Sequence, residues 1–258
     1  MSTPQLHLQY FAVRGRCEPV LILLADSGVP FTYEEISIST WIGWKTDGKI
    51  TPDQLPYAGL PVLRVKASNE SDKDFVLGET SAILTFLEEY LAPRTILPLD
   101  LPPETRARLR MIIEASLFFL NRVFQMSKDK DWLAPPTRHV IWNGIVTPYL
   151  RSTEKALSNL QSAAVIPSGA DNLTALNAVV SAAICFITDL FPSSRLSLGV
   201  GGKYELCGRM WSAVEQRPRL QSYRETNQIQ AKRWTISEYG TAKWIAEEAM
   251  KYDNSLDL

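Results

Sequence analysis

The sequence predicts an α/β unit over residues 1–93 and an all-helical unit over residues 104–258, joined by a linker at 94–103. Three observations predict it. Strand and helix signals alternate as far as about Leu91, the proline-rich stretch Pro98-Leu99-Asp100-Leu101-Pro102-Pro103 follows, and helical apolar periodicity governs nearly everything beyond. A chain of 258 residues with 45% hydrophobic content can bury one large core or two modest ones.

Each element has its own signature. Leu6, Leu8 and Tyr10 alternate as in a half-buried strand, and Val20-Leu21-Ile22-Leu23-Leu24-Ala25 before Ser27-Gly28 reads as a buried helix ending at a glycine. Phe31-Thr32-Tyr33-Glu34-Glu35-Ile36-Ser37-Ile38, rich in aromatic and β-branched residues, reads as a second strand. The three elements form a right-handed βαβ unit. The span from Ser39 to Gln54 has no clear period and reads as a loop or short helical turns over the sheet edge. Leu60-Pro61-Val62-Leu63-Arg64-Val65 and Phe75-Val76-Leu77 flank the polar stretch Lys66–Asp74 and read as a hairpin with a long charged connection. Gly78-Glu79-Thr80-Ser81 ends that hairpin and opens an apolar-periodic helix from Ala82 to Leu91. A βαβ unit, a hairpin and a closing helix compose a thioredoxin-like α/β domain. In the second half, helical periodicity runs from Glu104 towards Ser127, with Leu109, Ile112, Ile113, Ser116, Leu117 and Leu120 on one broad face.

Composition removes several function classes. A net charge of −1 gives no electrostatic case for nucleic acid or an acidic membrane surface. There is no secretory-type leader and no apolar run of about 18 residues, so a cytoplasmic protein is expected. The three cysteines, Cys17, Cys185 and Cys207, lack metal-ligand spacing and read as reduced and structural, with no metal expected. With only His7 and His139 as histidines, a Ser-His-Asp or Cys-His mechanism is disfavoured.

The densest chemistry lies in Gln9-Tyr10-Phe11-Ala12-Val13-Arg14-Gly15-Arg16-Cys17-Glu18-Pro19, where a strand ends and a helix begins. A phenol, two guanidinium groups and the orphan N–H groups of a helix start are gathered there, an environment suited to an anionic thiol. Tyr-Phe at a strand end is ordinarily core packing, and Arg-Gly-Arg is ordinarily a solvated turn. The whole segment, however, closely resembles the N-terminal stretch of cytosolic glutathione S-transferases of the tyrosine type, which include the pi, alpha and sigma classes. The resemblance implies that Tyr10 donates its hydroxyl to the glutathione sulfur and that Arg16 lies near a carboxylate of the tripeptide. Phe11 and Cys17 are read as packing, and Arg14 has no assigned role.

Further motifs carry the same resemblance. Leu55-Pro56-Tyr57-Ala58-Gly59-Leu60-Pro61-Val62-Leu63 is similar to the segment in which a glutamine-aliphatic-proline triplet leads into the third strand. It implies a cis Pro61 and a Leu60 whose backbone clamps the cysteinyl backbone of glutathione. Gly59 stands where that glutamine is usual, so one side-chain contact is expected to be missing. Gly78-Glu79-Thr80-Ser81-Ala82-Ile83-Leu84 resembles the Gln/Glu-Ser-x-A-I signature, implying that Glu79 pairs with the α-ammonium and Thr80 with the carboxylate of the γ-glutamyl group. Trp41 stands where pi-like members have a tryptophan near the glycyl end, and either Lys45 or Lys49 fills the place of their lysine. Thr174 and Asn177 resemble a capping box with asparagine in place of the usual aspartate. The run from Cys207 through Arg217-Pro218 to Tyr223 resembles the arginine-proline helix junction near the C-terminus.

The resemblance implies thiolate activation with glutathione as cosubstrate. The electrophile is expected to be bulky and apolar, with a role in secondary metabolism. Phe11, Phe118, Phe119 and Arg122, with Trp132 and Trp142 from the region Asp129–Trp142, are the candidates to line its pocket, though core packing claims at least half of them. Ile236–Met250 carries a helical apolar stripe and is a candidate lid or a solvent-facing tail. A glutathione-dependent double-bond isomerase and a non-catalytic glutathione-binding protein are the alternatives, and a homodimer is implied by the resemblance.

Overall fold

The computed structural model describes residues 5–67, 73–91, 101–161 and 173–227, together with Trp234 and Glu247. The N-terminal part is a four-stranded mixed sheet in the order β2-β1-β3-β4, with β1 Leu6–Phe11, β2 Phe31–Ile36, β3 Val62–Val65 and β4 Phe75–Gly78. The alternation of Leu6 and Leu8 puts both in the core, and Leu8 sits opposite Tyr33 of parallel β2 and Leu63 of antiparallel β3. Helix α1, Glu18–Ser27, joins β1 to β2 and ends at Gly28, whose left-handed φ of +71° suits a residue without Cβ. The antiparallel β3–β4 pair is the expected hairpin, and α3, Thr80–Tyr90, closes the unit with Ile83, Leu84 and Leu87 buried.

One expectation is corrected. The second strand ends at Ile36 and not at Ile38, and the stretch read as a loop or short helical turns holds a nine-residue helix, α2, Ile38–Thr46, the second of those readings at greater length. Ser37, assigned to the second strand from sequence, ends the strand and caps this helix by accepting the Thr40 N–H at 3.0 Å. No residue of α2 is fully buried, which is why it lacks the apolar stripe that announces a helix in sequence.

The C-terminal part is helical: α4 Pro103–Met126, α5 Thr137–Ile141, a π-helical turn at Trp142–Val146, α6 Thr147–Gln161, α7 Ala175–Leu190, α8 Ser194–Leu198, α9 Glu205–Glu215 and α10 Pro218–Thr226. Among the described residues no helix is long and apolar enough to cross a membrane. Helix α7 is apolar on nearly all sides and buried from Ala175 to Thr188, packed among α1, α4 and α9. Thr174 caps it, accepting the Asn177 N–H at 3.2 Å, so the predicted capping position holds with asparagine in place. Pro218 opens α10, as the arginine-proline junction implies. Of the linker at 94–103, only 101–103 are described, and α4 begins there at Pro103. The lid segment 236–250 lies outside the described residues except for Glu247, as do residues 68–72 of the hairpin connection.

The two parts meet through buried charge. Arg14 and Arg224 both pair with Glu18, at 2.7 and 3.0 Å, and Arg224 also pairs with Glu215. Arg217 grips Asp26 with two donors, Nη2 at 2.6 Å, while Arg219 donates to the carbonyls of Asp26 and Ser27. Helix α1 is thereby fastened to α10 along its length.

Candidate functional site

The site begins where β1 runs out. Tyr10 is 6% exposed, and its hydroxyl oxygen accepts the Arg16 backbone N–H at 3.1 Å. This bond exists because the chain turns sharply at Gly15, φ +42°, where a Cβ would come within 2.6 Å of the Tyr10 hydroxyl. Only glycine lets the turn approach the phenol this closely. Burial, and then the neighbouring Cys17, push the Tyr10 phenol above its ordinary range, against the opposing pull of the Arg16 N–H and guanidinium. At neutral pH the group is therefore a protonated donor with an acceptor lone pair already engaged.

Arg16 links Tyr10 to the start of α3. Its Nη2 lies 3.2 Å from Glu79 Oε2, and its carbonyl accepts the Thr80 hydroxyl at 3.3 Å. Glu79 sits at the N-terminal boundary of α3 with φ +63°, ψ 123°, a conformation that side-chain-bearing residues seldom adopt. Thr80 is buried, whereas Arg16 and Glu79 are both partly open to solvent. Tyr10, Arg16, Glu79 and Thr80, from segments more than sixty residues apart, are thus joined in one constellation. It offers a phenol donor, a guanidinium, a carboxylate and the positive end of an eleven-residue helix.

The Leu60–Pro61 peptide is cis, as expected, and both residues are buried where the chain enters β3. Trp41 of α2 packs edge-on against Phe11, with ring centroids 5.6 Å apart, and Phe11 in turn lies 5.6 Å from Tyr10. Lys45 Nζ sits 5.1 Å over the Trp41 ring, while Lys49 pairs with Asp47 at 2.9 Å. Lys45 is therefore the lysine held on the Trp41–Phe11 side.

The residues proposed for a second pocket separate. Phe119 is buried and stacked on Tyr149 at 4.4 Å, so it is core and not pocket wall. Trp132 and Trp142 are likewise buried, the latter against Phe191 at 5.1 Å, which removes all three from the pocket candidates and assigns them to core packing. The spacing explains it: Phe119 falls three residues after Ser116 and seven after Ile112, on the stripe of α4 that faces the core. Phe118, at 65% exposure, and Arg122, one turn on, occupy the opposite face. Phe11 is half-buried between Tyr10 and Trp41. Cys17 is fully buried, and burial, reinforced by Glu18, raises its thiol well above the ordinary value, in keeping with packing.

Sequence reasoning left Arg14 without a role and did not single out Trp234. Arg14 is buried, with its guanidinium 3.9 Å from the centroid of the Trp234 ring, 3.6 Å from Asp189 and donating to Cys185 Sγ at 3.3 Å. The one available signal was the four-residue spacing of Arg14 and Glu18.

No protein-family model matches the chain. Among curated proteins it is 34% identical over 84 residues to glutathione S-transferase P 1 of Xenopus laevis, a match that covers 33% of this chain and 35% of that relative's length. The solved structures it resembles include a sigma-class glutathione S-transferase of Fasciola hepatica, at TM-score 0.63 and 17% identity, over 87% of this chain and 97% of that one. They also include a maleylacetoacetate isomerase of Anaeromyxobacter dehalogenans with glutathione bound in its active site, at TM-score 0.56 and 18% identity, over 86% and 95% of the two chains. By sequence likeness in one third of its length and by architecture over most of it, this chain has the fold of the cytosolic glutathione S-transferases.

Proposed function

We propose that the protein is a glutathione S-transferase in which Tyr10 holds the glutathione thiolate for attack on an apolar electrophile. The observation that carries this reading is the Tyr10–Arg16 hydrogen bond at 3.1 Å within the Arg16–Glu79–Thr80 constellation. Glutathione carries one ammonium and two carboxylates, and the constellation supplies a partner of the right sign for each. Glu79 takes the ammonium, the Thr80 end of α3 takes the γ-glutamyl carboxylate, and Arg16 and Lys45 take the remaining negative charge beside Trp41. Leu60 presents its backbone to the cysteinyl residue.

A free cysteinyl thiol of pKa about 8.5 is roughly 3% ionised at pH 7, and lowering it by about two units makes it about three-quarters thiolate. The Tyr10 O–H supplies that lowering by donating to the sulfur anion, and the helix end and Arg16 add positive potential. The thiolate then forms a carbon–sulfur bond while the leaving group departs with the electron pair of the bond it breaks.

The electrophile is read as bulky and apolar, with Phe118 and Arg122 on the open face of α4 as pocket candidates and Phe11 at the tyrosine end. A place in secondary metabolism and residence in the cytoplasm belong to the same reading, and the free thiols of Cys17, Cys185 and Cys207 suit a reducing compartment. So does a homodimer, supported by Tyr57, an aromatic side chain 88% exposed on a single chain.

The test is a rate assay with glutathione and chlorodinitrobenzene, alongside one with a cis-configured conjugated alkene. Conjugation slowed about a hundredfold by Tyr10→Phe supports the transferase. Conversion of the alkene without glutathione consumption would instead favour the isomerase, and glutathione binding without any rate would favour a binding protein.

A further inference from the structure

Trp234 reaches the catalytic turn from far along the chain and touches it at two points. Its carbonyl accepts the Gly15 N–H at 3.0 Å, and its ring covers the Arg14 guanidinium at 3.9 Å. It is anchored at two more on α7, where the indole N–H donates to Asp189 Oδ2 at 2.7 Å and the ring packs on Phe186 with centroids 4.7 Å apart. Trp234 is 1% exposed. A tryptophan that satisfies its only side-chain donor and buries its whole ring is a rigid strut between a core helix and whatever it carries.

What it carries is the turn that orients Tyr10. Gly15 N–H is held by Trp234, the next N–H, that of Arg16, is held by the Tyr10 hydroxyl, and Arg16 in turn meets Glu79 and Thr80. We propose that Trp234 is a positioning residue for catalysis. It locks the Gly15–Arg16 turn so that the Arg16 N–H occupies an acceptor lone pair of Tyr10 and the phenol proton is left to point at the substrate sulfur. This rests on the transferase reading above and assigns a role in that site to a residue well outside its three motifs. Misplacing a donor by about 1 Å costs up to about a hundredfold in rate, so a strut of this kind acts on chemistry and not only on folding.

The experiment uses the full chain with Trp234→Ala, Trp234→Phe and Asp189→Asn. It measures the pKa of bound glutathione by its thiolate ultraviolet absorbance, kcat and KM with chlorodinitrobenzene, and thermal stability. Trp234→Ala is expected to raise the bound thiol pKa by about one unit and lower kcat about tenfold near neutral pH, with a smaller change in KM for glutathione. Trp234→Phe keeps the ring over Arg14 and the carbonyl on Gly15, and Asp189→Asn weakens the anchor, so each should give about a two- to threefold effect in the same direction. A Trp234→Ala protein that melts lower but keeps the wild-type thiol pKa and kcat overturns the proposal. If that variant does not fold, the other two decide, and an unchanged thiol pKa in both overturns it. Should the wild type show no glutathione-dependent rate, the transferase reading fails, and amide exchange at Gly15 and Arg16 decides the rest. Exchange accelerated in Trp234→Phe and Asp189→Asn upholds the turn-holding role, and unchanged exchange removes it.

Discussion

Arg14 and Glu18 lie one helical turn apart and meet at 2.7 Å with both side chains buried. The carboxylate oxygen that takes Arg14 also takes Arg224 of α10, so one acid from the thioredoxin-like part neutralises cations from both parts of the chain. Burial alone would raise the Glu18 carboxyl, and the two arginines outweigh it, holding the group below the ordinary carboxylate range.

Glu18→Gln should therefore destabilise the protein by about 3–5 kcal/mol at neutral pH, because it leaves two guanidinium groups short of a buried counter-charge. A depressed folded-state pKa contributes stability above the unfolded value near 4.5 that disappears as pH falls through the folded value. Urea unfolding of wild type and variant at about pH 7 and about pH 3 should show the difference shrinking on acidification.

Glu88 gives the opposite sign. It is 5% exposed, and burial, opposed by Arg110 at 3.5 Å, pushes its carboxyl up to about 7. A raised acid is most favourable to the fold below the unfolded value of 4.5, and that contribution falls as pH climbs towards 7. Glu88→Gln, which is neutral throughout, should be more stable than wild type above pH 7 by on the order of 2–3 kcal/mol and show little difference near pH 4. Thermal melts across that range check it.

Tyr10→Phe should lower kcat/KM for glutathione conjugation by about a hundredfold while leaving the melting temperature within a few degrees, since it removes one donor to a developing anion and keeps the ring. The bound thiol should titrate near its free value. A retained low thiol pKa would assign thiolate stabilisation to the helix end and Arg16.

Glu79 separates strain from binding. With φ at +63°, replacing it by glycine should relieve about 1 kcal/mol or more of backbone cost while deleting the carboxylate. Glu79→Gly is expected to unfold at higher denaturant than Glu79→Gln, with both raising KM for glutathione at least about tenfold. Equal stability of the two variants would show that the conformation costs nothing.

Neighbouring phenylalanines of α4 should part company. Phe119→Ala opens a hole beside Tyr149 and should cost about 3–5 kcal/mol. Phe118→Ala should leave stability nearly unchanged and alter KM for the electrophile, measured with a series of apolar acceptors.

The opening turn was legible in the sequence because it is a local event, set by a glycine within a few residues of the phenol, whereas the cis Pro61 and the cap at Thr174 were expected from the family resemblance. The extent of helix α2 was not legible, because a helix without a buried face leaves no apolar period to read. Phe119 and Phe118 differ by one residue and could have been separated by counting from Ser116, but the crowd of aromatics invited a pocket. The sequence by itself thus determined the order of the strands with α1 and α3 in the N-terminal part, the helical character of the second part and the Tyr10 turn. The tertiary structure alone decided that Arg16 meets Glu79, that Arg14 is shared among Glu18, Asp189 and Trp234, and that Trp132 and Trp142 belong to the core. Apart from Arg14–Glu18, four residues apart, those pairings join residues tens to hundreds of positions apart. No local propensity encodes the long-range ones; those of Arg14 follow from the burial of α7 and the charges that had to find partners around it.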